Sequence, residues 1–187
     1  AAECLCILER WDEARQAYEA FVVANEGNAE ARGIVADAAL RVGHCLQRAG
    51  DTDAARVRYA NAAILYPDQE AGHEAQYWVG EVLYQAGRYA EAVPEYERLL
   101  SAHPDSPLAS QTHYSVGRAR YALAEYRAAL ASFDAVVAND GQLAAASTWY
   151  LGECRRLLGE YNMALILYRR VPPSSPYADD ARFGIGA

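Results

Sequence analysis

Residues 77–104 read YWVGEVLYQAGRYAEAVPEYERLLSAHP, and the punctuation of this stretch decides the fold. An apolar run with helical spacing stops at Gly87, restarts at Arg88 or Tyr89, and stops again at Pro104. Glycine takes a left-handed conformation at a helix C-terminus without steric cost, and the residue before a proline avoids helical dihedrals. The stretch therefore predicts two helices joined by a tight turn.

The same punctuation recurs along the chain. Gly43, Gly80, Gly117, Gly152 and Gly186 fall into register at spacings of 37, 37, 35 and 34. Ala55, Ala92, Ala129 and Ala164 align as well, each followed four residues on by Tyr59, Tyr96, Phe133 or Tyr168, and Pro67, Pro104 and Pro176 close three units. An upstream half-unit fits, with Trp11, Ala14 and Tyr18 matching Tyr89, Ala92 and Tyr96. A glycine inside a first helix costs about 1 kcal/mol relative to alanine, so Gly80 and its equivalents predict close approach of a neighbouring helix. The turn falls at Gly50, Gly87 and Gly159; Ala124 holds that place in the fourth unit and predicts its least regular turn. Pro94 lies just inside a second helix, where it removes a hydrogen bond, and Pro172 and Pro173 shorten the last one.

Periods of this length are the signature of solenoids, whose units hide their apolar faces only by stacking. The repeated residues resemble the tetratricopeptide repeat over nearly the whole chain. That resemblance implies an all-α, right-handed superhelical solenoid of antiparallel helix pairs. The register divides it into a partial repeat at 1–33, repeats at 34–70, 71–107, 108–143 and 144–176, and the start of another at 177–187. The connectors HPDSPLAS (103–110) and PPSSPYADDA (172–181) are similar to those of bacterial cell-envelope members, the outer-membrane-assembly lipoproteins and Tol-Pal-associated periplasmic proteins.

Composition narrows the chemistry. All 17 basic residues are arginine and the net charge is -8, which removes lysine-based catalysis and disfavours a nucleic-acid partner. Apolar runs such as ALILY from Ala164 fall far short of the roughly 20 residues of a membrane span, and no signal-peptide pattern opens the sequence.

Cys4, Cys45 and Cys154 occupy equivalent places, where Val82 and Ala119 stand in other units, so they read as packed thiols. Equivalent sites on different units are expected to lie too far apart for disulfides, and Cys4 and Cys6 lack the spacing of a zinc or redox pair. Reduced thiols favour the cytoplasm and the connectors the periplasm or cell envelope, which leaves the compartment open. His44, His73, His103 and His113 share no repeat position and make no metal cluster. Glu81 and Glu153 each follow the repeated glycine, with Arg118 equivalent between them. Such alternation reads as lateral ion pairs rather than an acid and base, so neither catalytic residue nor cofactor is predicted.

In tetratricopeptide proteins the first helices line a concave groove, and the resemblance projects particular residues into it. Leu40, Tyr77, Tyr114, Trp149 and Phe183 stand three before each glycine, with Gln47, Tyr84, Tyr121 and Arg156 one turn beyond it. Tyr77, Tyr84, Tyr114, Tyr121 and Trp149 would form an aromatic floor flanked by Glu74, Glu81, Gln111, Arg118, Glu153 and Arg156; the alternative is that these rings are core. The family's clamp for a C-terminal carboxylate is not matched, because its places hold Leu40, His44, Trp78, Gln111 and Ser115. The expected function is a noncatalytic scaffold binding a partner peptide or helix. Alternatives are a self-assembling module that stacks as a homo-oligomer through solenoid ends lacking a polar capping helix, and a regulatory array of a larger enzyme.

Overall fold

Apolar side chains at helical spacing organise the described residues, 2–139 and 141–186 of the computed structural model, into eleven helices with no strand among them. These are α1 (Ala2–Ile7), α2 (Trp11–Ala24), α3 (Arg32–Arg48), α4 (Thr52–Leu65), α5 (Glu70–Gln85), α6 (Tyr89–Ala102), α7 (Ala109–Ala122), α8 (Tyr126–Asn139), α9 (Gly141–Leu157), α10 (Tyr161–Arg170) and α11 (Ala178–Gly186). They divide into two compact units, one running to Ala86 and the other from Gly87. Within the first, α1 to α5 pack each on the next and α3 also touches α5; within the second, α6 to α11 do the same and α7 touches α9. Neighbours in sequence are thus neighbours in space, the order a solenoid requires. Among the described residues no helix is long and apolar enough to cross a membrane.

The turns inside the pairs share one geometry. At Gly50 (φ 89°) the chain is left-handed; its N–H donates to the Gln47 carbonyl (3.1 Å) and that of Asp51 to Leu46 (2.9 Å). This is the paired bonding that satisfies a helix's last carbonyls. Gly159 repeats it, and so does Glu9 at φ 56°. Ala124 corrects the expectation of an irregular turn: it sits at φ 60° with the same two bonds, Ala124 to Tyr121 (3.0 Å) and Glu125 to Arg120 (2.9 Å). The two bonds outweigh the roughly 1–2 kcal/mol that a Cβ costs in this conformation.

The periodic residues form the core. Ala14, Ala55, Ala92 and Ala129 are wholly buried, as are Tyr59, Tyr96 and Phe133, with Tyr168 and Ala164 nearly so. Each buried ring contributes about 1.5–3 kcal/mol of burial energy. The repeated glycines exist for these rings: a Cβ on Gly43 would stand 2.4 Å from Tyr59, on Gly117 2.6 Å from Phe133, and on Gly152 2.6 Å from Tyr168. Close approach is thus a ring of the second helix seated on the first. In α11 it is Gly184, two residues before Gly186, that meets Tyr168.

Pro94 sits inside α6 without ending it, and α10 has 10 residues where α4, α6 and α8 have 14. In the two long connectors a serine hydroxyl takes the N–H two residues on, Ser106 from Leu108 (3.3 Å) and Ser175 from Tyr177 (3.2 Å).

Candidate functional site

The second-helix ring decides what its first helix can present. In the first unit the Tyr59 hydroxyl donates to Gln47 Oε1 (2.9 Å) and lies 2.8 Å from His44 Nδ1, so it engages the residues one and four after Gly43. In the second unit Tyr168 donates to Glu153 Oε1, and Arg156 pairs with that carboxylate at 2.7 Å, so the residues one and four after Gly152 are engaged in the same way. Burial pushes the Glu153 carboxyl up, but the hydrogen bonds from Arg156 and Tyr168 prevail and hold it below the usual range. Phe133 has no hydroxyl. The corresponding residues after Gly117 lie against aromatic rings: Arg118 stands over Tyr114 at 5.6 Å, and Tyr121 packs edge-on against Tyr126 (5.6 Å) and Tyr150 (5.3 Å).

These contacts belong to a half-buried aromatic face carried by α7 and α9. Tyr150 stacks on Phe133 at 4.9 Å and meets Tyr114 (6.0 Å) and Trp149 (4.8 Å) edge-on, while Trp149 stacks with Tyr177 at 5.4 Å. Burial raises the Tyr114 phenol well above its ordinary range, reinforced by a hydrogen bond with Tyr177, and pushes Tyr121 up to about 12. Both are therefore neutral hydrogen-bonding groups at physiological pH. The indole N–H of Trp149 is buried and has no hydrogen-bond partner among the described residues. Of the predicted groove residues, Tyr114, Arg118, Tyr121, Trp149, Glu153 and Arg156 thus come together on two adjacent first helices. Glu153 forms its ion pair along its own helix with Arg156.

Tyr77, Glu81 and Tyr84 lie on α5 in the first unit. Tyr77 is only 5% exposed, so it is core rather than open wall, as is Leu40; Glu81 and Tyr84 are half-buried. Phe183 is 80% exposed. The aromatics that sequence reasoning missed stand two residues before the glycine: Trp78 stacks on Tyr59 at 6.1 Å as Tyr150 does on Phe133. Their spacing of two repeats carried the signal, with Arg41 and Ser115 at the intervening equivalents. Trp78, Arg41, His44 and Glu74 line a cavity of about 680 Å³ within the first unit. Glu74 accepts from the Trp78 indole (3.1 Å) and lies 3.7 Å from His44, and these contacts, that with His44 first, hold its carboxyl below the usual range against burial.

The cysteines divide in two. Cys45 and Cys154 are packed as expected, at 2% and 0% exposure. Cys4 is exposed on α1, which buries no residue, so it is not a packed thiol. Cys6, outside the register that relates the other three, places its sulfur 4.0 Å from that of Cys45.

The family profile described as Tetratricopeptide repeat matches residues 42–107 and 114–179. The chain is a tetratricopeptide repeat protein. No protein of curated function matches it at a significant level. Among solved structures, the apo form of RapI is similar with a TM-score of 0.81 at 16% identity, covering 97% of this chain and 55% of that one. A tetratricopeptide repeat protein from Parabacteroides merdae ATCC 43184 gives 0.75 at 14% identity, covering 98% and 68%. A kinesin light chain with nearly identical TPR-like repeats from Podosopora anserina gives 0.67 at 15% identity, covering 97% and 93%. These likenesses establish the fold of this tetratricopeptide protein: an all-α solenoid of helix pairs. Such repeats are in general noncatalytic scaffolds for protein–protein interaction.

Proposed function

We propose that this chain is a noncatalytic scaffold that holds an extended or helical peptide of a partner protein against the α7/α9 face. The observation that carries the reading is the half-buried file of Tyr121, Tyr150, Trp149 and Tyr114 with Arg118 over it and the Glu153–Arg156 pair at its edge. Tyrosine and tryptophan offer large apolar area with a polar tip and little entropy to lose, which suits them to recognition. Packed helices stand about 8–10 Å apart and an extended chain advances about 3.3 Å per residue, so successive first helices would meet roughly every third residue of the ligand. The likeness of the connectors to those of bacterial envelope members supports an envelope setting for that partner.

Peptides selected on the protein from a random-sequence library test this. Arg118→Glu and Tyr121→Ala should each weaken the tightest peptide about tenfold or more, while Ile166→Ala on α10 leaves it unchanged. Equal affinity for all three variants, with helicity intact by circular dichroism, overturns the proposal.

A further inference from the structure

One pair of groups has no part in the aromatic face. Cys6 on α1 and Cys45 on α3 bring their sulfurs to 4.0 Å, both as free thiols. We propose that Cys6 and Cys45 are a redox-modification site, closing to an intramolecular disulfide that fastens α1 to α3 when a small-molecule disulfide is the oxidant.

Three features support closure. A disulfide needs its sulfurs at about 2.05 Å, so the two must approach by about 2 Å. The mobile partner is α1, six residues long with none buried, so the approach disturbs no packed core. Both thiols line the first unit's cavity of about 680 Å³, which gives a small disulfide a route to them. The other cysteines lack this arrangement: Cys154 is wholly buried and Cys4 is exposed. Among the described residues no group of three metal-binding side chains gathers here or elsewhere.

Exposure sets the order of events. Cys6 is half-buried and Cys45 is 2% exposed, with burial pushing its thiol up to about 12. The Cys6 thiolate therefore attacks a sulfur of the oxidant first; that S–S bond breaks, one thiolate departs, and Cys6 is left as a mixed disulfide. Cys45 then loses its proton to water and its sulfur attacks that of Cys6, expelling the second thiolate. The two departing thiolates take up the two protons, so two electrons pass from the protein to the oxidant, which ends as two thiols.

The test is equilibration with glutathione and glutathione disulfide over a range of ratios, followed by thiol counting and tryptic mapping. Of the four thiols, two should disappear together. The peptide ending at Arg10, which carries Cys4 and Cys6, should be linked to peptide 42–48, which carries Cys45. The link should persist in Cys4→Ser and vanish in Cys6→Ser and in Cys45→Ala. The oxidised wild type should melt about 5 °C or more above the reduced protein, since the bond closes a long loop. Four thiols still free in the most oxidising buffer, a link made through Cys4, glutathione mixed disulfides without pairing, or disulfide-linked dimers would each overturn the proposal.

Discussion

At the scale of single residues the molecule turns on an aromatic ring seated on a glycine. A Cβ at Gly152 would stand 2.6 Å from Tyr168, and the ring is held by its neighbours on every side. Gly152→Ala gains helix propensity worth about 1 kcal/mol but overpacks the contact, so urea unfolding should show a net loss of about 1–2 kcal/mol. The Tyr168 hydroxyl also fixes the charge of Glu153, whose carboxyl is held below its ordinary 4.5 in the folded chain. A depressed carboxyl contributes stability above its unfolded pKa and loses it as pH falls through the folded value. The wild type should therefore lose more melting temperature than Glu153→Gln between about pH 6 and about pH 3, and the two should converge at the acid end. The glycine–ring pairing was legible because both partners repeat. That a hydroxyl ties down the residues one and four after the glycine was not, because only the folded geometry joins Tyr59 to His44 and Gln47.

At the scale of elements, the chain uses the same left-handed turn wherever a first helix gives way to a second. Glycine marked three such places in the sequence, but Ala124 and Glu9 adopt the conformation too, since the turn's hydrogen bonds impose it. Those two were illegible to a rule that looks only for glycine. Ala124→Gly should relieve the Cβ strain, and after the added freedom of the unfolded chain is subtracted it should stabilise the protein by about 0.5–1 kcal/mol in denaturant titration. No gain would mean the turn carries no strain. Pro94 shows the opposite case: a breaker by composition lies within a continuous α6. Cys6 escaped the register for a related reason, since only the packing of α1 near α3 brings it to Cys45.

At the scale of the whole molecule, the serial packing of helices within each unit follows from apolar faces that a single helix pair cannot bury. The order of the repeats was plain in the sequence because every unit carries the same glycine, alanine and ring. The recognition face was legible only in part. Tyr114, Tyr121 and Trp149 are half-buried on it, while Tyr77 is core and Tyr150 takes a central place that the register had not marked. Identical repeat positions thus differ in exposure according to the side chains packed beneath them, a distinction that spacing alone does not carry. Hydrogen exchange measured with and without the tightest library-selected peptide tests the central claim most directly. Binding in the manner proposed predicts new protection concentrated in α7 and α9, absent in Arg118→Glu. Protection confined to α8 and α10, or none at saturation, would contradict it.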